Sequence, residues 1–208
     1  MYHTYIFDID GTLINTEQAV LGSLQKLLKN NYNRELTQQD LSFVLGIPGA
    51  VSLRQLGIED VNHANKCWND LMRDYQHTIH VYEGIHQLLT DLRKHSIRTG
   101  VVTSKTKQEF LDDFVPFGLD NDLPYAVCAD DTKLHKPHPE PLLKFLEISG
   151  AQAETSIYIG DTIYDYECAR DAGVDFGLAL WGCKQPDAIP AKYKFKHSKD
   201  ILSILNLH

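Results

Sequence analysis

The sequence predicts an α/β fold with a mainly parallel sheet and a helical segment inserted early in the chain. Short apolar runs recur along the sequence, and helical patterns of about 10 to 15 residues lie between them. The stretch from residue 17 to residue 79 contains only helical patterns. Polar residues directly follow several apolar runs, as is typical of strands that deliver side chains to one edge of a sheet.

The first predicted strand is Tyr5-Ile6-Phe7, which stops at Asp8. A short apolar run that ends at a charged residue is typical of a buried strand. Similar runs predict further strands at residues 99–103, 125–128, 156–160 and 174–180. Leucines at helical spacing predict helices around residues 88–92 and 142–147.

The helical stretch is punctuated by Gly46, Pro48 and Gly49, and no central strand interrupts it. We therefore predict an inserted α-helical domain at residues 16–81. The catalytic core would consist of residues 1–15 and 82–208.

Composition limits the classes of partner and location. The chain has 208 residues, 43% of them hydrophobic, and a formal net charge of -8. Its lysines and arginines are scattered, which argues against nucleic acid. No apolar run reaches the roughly 18 residues that span a membrane. Four separated cysteines without a C-x-x-C pair favour a cytoplasmic protein with free thiols. We expect a monomer or a homodimer.

Asp8-Ile9-Asp10-Gly11-Thr12 is the first motif that predicts chemistry. The strand ends at Asp8, and Gly11 permits a turn that brings both carboxylates to one point. Two carboxylates held close together need a cation, and oxygen ligands favour Mg²⁺. A surface turn would be the alternative reading of an isolated Asp-x-Asp pair.

Two cationic or hydroxyl-bearing segments follow later strands. Thr103-Ser104-Lys105 comes after the strand at 99–103, where hydroxyls can donate to phosphoryl oxygens or cap the next helix. Lys136-Pro137 precedes a predicted helix. Its lysine can balance the charge of Asp8 and a bound phosphate.

Gly160-Asp161-Thr162-Ile163-Tyr164-Asp165 follows another apolar strand and is expected to begin a helix at Asp161. The Asp161 carboxylate can complete a magnesium site with Asp8 and the backbone carbonyl of Asp10. Asp165 lies one helical turn later on the same face. Helix capping and dipole complementarity are the structural alternatives for these two residues.

These four ordered motifs resemble those of the haloacid dehalogenase-like hydrolase superfamily over residues 5 to about 182. The resemblance implies a Rossmann-like core with an inserted helical cap and Mg²⁺-dependent chemistry through an aspartyl-phosphate. It implies that Asp8 is the nucleophile and Asp10 the acid/base. Asp8, Asp10 and Asp161 would hold the metal with support from Asp165, and Thr103 and Lys136 would hold the phosphoryl group.

Asp10 favours a phosphatase over the true dehalogenases, which resemble this pattern but lack that carboxylate. Leu180-Trp181-Gly182 and the segments around the motifs resemble the phosphoglycolate phosphatase and pyrophosphatase branch. The resemblance implies a small phosphorylated metabolite as substrate, phosphoglycolate-like, with pyrophosphate or a phosphosugar mutase reaction as alternatives. A non-catalytic regulator on the same fold is a further alternative. The predicted substrate-binding residues are Gly11, Thr103, Ser104, Lys136 and, in the cap, Arg54.

Overall fold

The computed structural model describes residues 1–205. Its strands are β1 (Thr4–Phe7), β2 (Ile14–Asn15), β3 (His80–Val81), β4 (Arg98–Val102), β5 (Tyr125–Val127), β6 (Ser156–Gly160), β7 (Asp175–Ala179) and β8 (Tyr193–Phe195). Its α-helices are α1 (Glu17–Tyr32), α2 (Gln38–Leu41), α3 (Gly49–Gln55), α4 (Val61–Met72), α5 (Ile85–Lys94), α6 (Lys107–Asp113), α7 (Glu140–Ser149) and α8 (Ile163–Asp171). Short 3-10 turns connect several of these elements.

Six strands form one sheet in the order β5-β4-β1-β6-β7-β8, and every neighbouring pair is parallel. The prediction of an α/β fold with a parallel sheet is confirmed. The order reverses at β1, because β4 lies on one side of it and β6 on the other. This reversal is the position at which open parallel sheets bind ligands.

The sheet is buried on both faces, because alternate side chains of β1 enter different hydrophobic clusters. Tyr5 and Phe7 pack with the leucines of α5 on one face. Ile6 packs with Phe145 of α7 on the other. Helices on both faces explain why the strands read as continuous apolar runs rather than as alternating ones.

The helical segment lies between β2 and β3, which pair antiparallel with Ile14 opposite Val81. It contains α1 to α4 and 3-10 turns at Ser42–Val44 and Arg73–Thr78. Leucines of α1 and Trp68 of α4 contribute to a third hydrophobic cluster that is separate from the two sheet clusters. The chain therefore leaves the part that forms the sheet at β2 and returns to it at the neighbouring β3. The helical segment between them has a small hydrophobic core of its own.

The structure departs from the sequence prediction in several details. The short strands β2 and β3 were not predicted, and β7 is one residue shorter at each end than predicted. The edge strand β8 was not predicted, because Tyr193-Lys194-Phe195 is short and carries a charge. Strands β4 and β5 end one residue earlier than predicted. The helix expected to begin at Asp161 begins at Ile163, with Thr162 as its N-cap.

Residues 206–208 of the predicted core lie outside the described residues. Within residues 1–205, no helix combines the length and apolar character that crossing a bilayer requires.

Candidate active site

The site is built where three neighbouring strands of the sheet end. Asp8 directly follows β1 and is only 2% exposed. Thr103 follows β4 and Asp161 follows β6, and these two strands flank β1. The fold therefore brings together polar residues that lie far apart in sequence.

Lys136 connects the buried polar groups of the site. Its Nζ donates hydrogen bonds to Asp8 Oδ1 at 2.8 Å and to Asp165 Oδ1 at 2.7 Å. It also donates to the Tyr158 hydroxyl at 3.1 Å. Burial acts to lower the pKa of Lys136, but Asp165 and Asp8 outweigh it and hold that pKa above its ordinary value. Lys136 is therefore a fixed cation next to Asp8.

Asp165 fixes Lys136 to the beginning of α8. While its Oδ1 accepts from Lys136, its Oδ2 accepts from the Thr162 amide at 3.1 Å and the Thr162 hydroxyl at 2.6 Å. The Thr162 hydroxyl in turn accepts from the Asp165 amide at 3.3 Å. This reciprocal pair is a capping box. Both oxygens of Asp165 consequently have protein partners.

The turn after β1 is packed tightly against Asp161. Gly11 has a φ of +79°, and a Cβ there would overlap the Asp161 carboxylate. The Thr12 hydroxyl donates to Asp161 Oδ1 at 3.3 Å, and Trp181 Nε1 donates to the Thr12 carbonyl at 3.0 Å. A Cβ at Gly182 would overlap the Gly11 carbonyl. Glycine is therefore needed at both positions.

The residues present fit a divalent cation. Asp8, Asp161 and Asp165 each offer a carboxylate oxygen, and these oxygens lie within 4.8 Å of one another. Asp8 Oδ2 is buried and has no hydrogen-bond partner among residues 1–205. Clustered carboxylate oxygens of this kind are the ligands that Mg²⁺ prefers.

The pKa values of Asp8 and Asp161 are raised, because both carboxylates are buried close to other carboxylates. Burial raises the pKa of Asp8 to about 7; Lys136 opposes this shift, and Asp165 and Asp10 add to it. Burial also raises the pKa of Asp161 well above its ordinary value, with Asp165 and Asp8 as further causes. A bound cation would stabilise the charged forms, so these shifts agree with the metal assignment.

Asp10 lies beside a second buried lysine, Lys105. Lys105 Nζ is 3.3 Å from Asp10 Oδ1 and 3.1 Å from Asp113 Oδ2. Asp10 Oδ1 nevertheless accepts no hydrogen bond from the described residues. Burial acts to lower the pKa of Lys105, but Asp10 and Asp113 outweigh it and raise that pKa. The Lys105 ammonium therefore attracts the Asp10 carboxylate, while the Asp10 Oδ1 atom stays free of hydrogen bonds from the described residues.

A cavity of about 100 Å³ lies over Asp8, Asp10 and Asp161. Two hydrogen bonds join the core to the helical segment around it. Ser104 Oγ donates to the Gly46 carbonyl at 2.8 Å, and Asn69 Nδ2 donates to Glu109 Oε1 at 3.0 Å. The helical segment lines the cavity with Thr16, Glu17, Val20, Val44, Leu45, Gly46, Ile47, Gly49, Asn65, Trp68, Asn69 and Met72.

The predicted substrate-binding residues differ in where they lie. Gly11 and Ser104 line the cavity. Thr103 is buried at the end of β4, and its hydroxyl accepts from the Lys105 amide at 3.2 Å. Arg54 is exposed on α3 and is not among the residues that line the cavity. The structure therefore does not bring Arg54 to the site.

Sequence reasoning missed Tyr158 and Asp113. Tyr158 lies inside the apolar strand β6, and a tyrosine in a fully buried strand signals that its hydroxyl has a partner. Asp113 ends α6, and nothing in its surroundings in the sequence points to Lys105. The salt bridge depends on the path of α6 across the end of the sheet.

Residues 5–179 match the family described as haloacid dehalogenase-like hydrolases. The chain belongs to this family. The match covers most of the chain, including Asp8, Lys136 and Asp161, and it confirms the resemblance seen in the motifs.

Relatives of this haloacid dehalogenase-like hydrolase include pyrophosphatase PpaX of Bacillus mycoides (strain KBAB4). The two are 27% identical over 208 residues, which cover 98% of this chain and 97% of the relative. A structure from Lactobacillus plantarum, named provisionally as a phosphoglycolate phosphatase, has a TM-score of 0.89 and 29% identity over 98% of this chain and 99% of that one. The family and these relatives confirm the prediction of a phosphatase enzyme.

CbbY from Rhodobacter sphaeroides, solved in complex with phosphate, has a TM-score of 0.84 at 14% identity. The similarity covers 97% of this chain and 96% of that chain. At this identity the likeness concerns the fold alone, and it extends over the helical segment as well as the sheet.

Proposed function

We propose that this phosphatase is Mg²⁺-dependent and transfers the phosphoryl group of a small metabolite first to Asp8 and then to water. The observation that carries the proposal is the buried Asp8 carboxylate on the cavity floor. Its Oδ1 is held by Lys136 at 2.8 Å, and its Oδ2 has no partner among the described residues. Such a carboxylate is oriented and still able to attack.

Asp8, Asp161 and the backbone carbonyl of Asp10 are the proposed ligands of Mg²⁺. Asp165 supports them through Lys136, since both of its oxygens are already hydrogen-bonded. When bound, Mg²⁺ would neutralise part of the charge on the carboxylates and on the phosphoryl oxygens. Lys136 supplies the remaining positive charge next to the nucleophile.

In the first step an Asp8 oxygen attacks phosphorus and forms an acyl phosphate, while the bond from phosphorus to the leaving oxygen breaks. Asp10 gives its proton to that leaving oxygen. Lys136 and the polar residues after β4, Thr103 and Ser104, position the phosphoryl group. Phosphoryl transfer depends mainly on such positioning and on stabilisation of charge.

In the second step a water attacks phosphorus of the aspartyl-phosphate. The Asp10 carboxylate takes the proton of that water, inorganic phosphate leaves, and Asp8 is regenerated. One residue thus acts first as acid and then as base. The Asp10 Oδ1 atom without a hydrogen bond supports this role.

We further propose that residues 16–81 act as a cap domain over a core formed by residues 1–15 and 82–208. The separate hydrophobic cluster of the helical segment supports this division. The hydrogen bonds from Ser104 and Asn69 across the cavity are then contacts of a closed cap. Closure of this kind would exclude water from the reaction.

The free cysteines among the described residues support a cytoplasmic location. The names of the relatives make phosphoglycolate and pyrophosphate the first compounds to test.

The decisive experiment replaces Asp8 by Asn, which keeps the size of the side chain and removes the nucleophile. We expect phosphate release from a panel of small phosphate esters and pyrophosphate to require Mg²⁺. We expect Asp8→Asn to lower it by at least about 10⁴-fold at an unchanged circular dichroism spectrum. Release that persists in the variant, or in the presence of chelator, would refute the covalent mechanism.

A further inference from the structure

We infer that the leaving group of the substrate is an uncharged alcohol with a second hydroxyl, and that Asn65 of the helical segment recognises that hydroxyl. This inference rests on the proposed phosphatase function and narrows its substrate class. It separates small neutral phosphate esters from phosphoglycolate, pyrophosphate and sugar bisphosphates, whose leaving groups are anions.

The charge of the cavity lining argues against an anionic leaving group. Beyond the carboxylates of the reaction centre, the lining includes Glu109, Asp113 and Glu17. Among the residues described, Lys105 is the one cation that lines the cavity, and its ammonium already lies between Asp10 and Asp113. Lys184 pairs with Glu17 outside the lining, at 2.5 Å. One ammonium is thus shared by Asp10 and Asp113, so an additional anion would meet the net negative charge of Asp10, Asp113 and Glu109.

Three side-chain donors of the lining are used within the protein. Trp68 Nε1 donates to Ser23 Oγ at 2.8 Å. Asn69 Nδ2 donates to Glu109, and Ser104 Oγ donates to a backbone carbonyl of the helical segment. A carboxylate or second phosphate would need several donors in a low-dielectric site. Trp68, Asn69 and Ser104 could serve such an anion only by giving up the bonds they already make.

Asn65 of α4 lines the cavity, and its side-chain oxygen has no partner among the described residues. Its Oδ1 is buried and accepts no hydrogen bond from residues 1–205, and it lies so close to Gly49 that a Cβ there would be 2.5 Å away. Asn65 as a whole is half-buried, and a buried amide oxygen without a partner destabilises a protein unless a ligand or water satisfies the group. A hydroxyl can both donate and accept, so it satisfies Asn65 in either orientation of the amide.

Much of the remaining helical lining is apolar and suits the carbon atoms of a short alcohol. It includes Trp68 with Val20, Val44, Ile47 and Met72. Arg54, which a bisphosphate could have used, is exposed and away from the cavity.

Three phosphate esters of nearly equal size test this inference. 2-Hydroxyethyl phosphate has the neutral hydroxyl. Phosphoglycolate has a carboxylate in place of the hydroxymethyl group, and n-propyl phosphate has a methyl group in place of the hydroxyl. We expect kcat/KM to be highest for 2-hydroxyethyl phosphate, by about tenfold or more over each of the others. A higher kcat/KM for phosphoglycolate or for pyrophosphate would overturn the inference while leaving the phosphatase proposal intact.

Two variants test whether Asn65 and Glu109 cause this substrate preference. Asn65→Ala should lower kcat/KM for 2-hydroxyethyl phosphate by about tenfold and leave n-propyl phosphate within about twofold, which also shows that the variant is folded. Glu109→Gln removes a charge and keeps one of the two oxygens that accept from Asn69 and from the Thr106 amide. It should raise kcat/KM for phosphoglycolate by about fivefold relative to 2-hydroxyethyl phosphate.

Equal losses on all substrates in Asn65→Ala would show a structural role for Asn65 and would overturn its assignment. An unchanged substrate ratio in Glu109→Gln would overturn the electrostatic argument. If no ester or pyrophosphate is hydrolysed in the presence of Mg²⁺, or if Asp8→Asn remains active, the phosphatase proposal itself fails and this inference fails with it.

Discussion

At the scale of single residues, the orientation of Lys136 depends on three buried neighbours. Asp8 and Asp165 accept from its ammonium, and Tyr158 provides an uncharged third partner. The Tyr158 hydroxyl also lies 2.9 Å from the Val102 carbonyl and 3.0 Å from Asp165 Oδ1. Tyr158 therefore connects the end of β4 to the charged groups beside β1.

Tyr158→Phe should reduce activity without abolishing it. Loss of the hydroxyl removes one partner of Lys136 and leaves the Val102 carbonyl with one acceptor site empty. We expect kcat to fall about tenfold, which corresponds to roughly 1.4 kcal/mol. Steady-state phosphate release, measured with Mg²⁺ at saturating substrate, is the readout.

Tyr5→Phe is a matched control for that variant. Tyr5 lies on β1 and is fully buried, but its hydroxyl has no hydrogen-bond partner among the described residues. Its removal should leave kcat unchanged and keep or raise the melting temperature. If Tyr5→Phe and Tyr158→Phe lower kcat equally, the loss comes from altered packing of the buried ring. The positioning of Lys136 by the Tyr158 hydroxyl is then not its cause.

At the scale of elements, the sequence predicted the features that depend on the local order of apolar and polar residues. The apolar runs identified the central strands because both faces of the sheet are covered, and Asp8 and Asp161 could be assigned because they follow those runs directly. Long-range partners were not predictable. Asn65 and Asp113 come from helices whose positions over the sheet depend on tertiary packing. Arg54 shares α3 with Gly49, which lines the cavity, but Arg54 itself is exposed and is not part of the lining.

The close contact between two loops gives a prediction at this scale. Gly182→Ala would place a methyl group against the Gly11 carbonyl, so the turn carrying Asp10 must shift. We expect kcat to fall by about 10²-fold, because displacements of about 1 Å at a reacting group have effects of this size. The folded fraction, measured by circular dichroism, should stay high.

Gly150→Ala provides the contrast. Gly150 has a φ of +66° after α7, with no atom near a Cβ position. Alanine there should lower the free energy of unfolding by about 1 kcal/mol with no change in kcat. A loss of activity in Gly150→Ala as large as that in Gly182→Ala would indicate a general effect of lost stability.

At the scale of the whole molecule, the buried carboxylates couple global stability to pH and to metal. Burial raises the pKa of Asp8 to about 7 in the folded metal-free protein, whereas an unperturbed aspartate has a pKa of 3.8. Between these values the native state holds a proton that the unfolded state has lost. The contribution of Asp8 to stability is therefore present below about pH 4 and is lost as pH rises through about 7.

We expect metal-free wild type to lose stability relative to Asp8→Asn as pH rises from about 4 to about 7, by about 1 kcal/mol per pH unit. Urea unfolding of both proteins in chelator measures this difference. Added Mg²⁺ should restore stability to wild type near pH 7 and have a smaller effect on Asp8→Asn. A difference between the two proteins that does not vary with pH would contradict the raised pKa of Asp8.

The pairing of β2 with β3 has a consequence for how such a protein can diversify. Ile14 and Val81 are partners across this pair, so everything between them can be exchanged or lengthened without moving the ends that join it to the sheet. Genetic replacement of this stretch would then change which molecules are accepted while the reaction chemistry is inherited unaltered. A library of chimeras joined at these two positions would test new substrate specificities on one unchanged catalytic core.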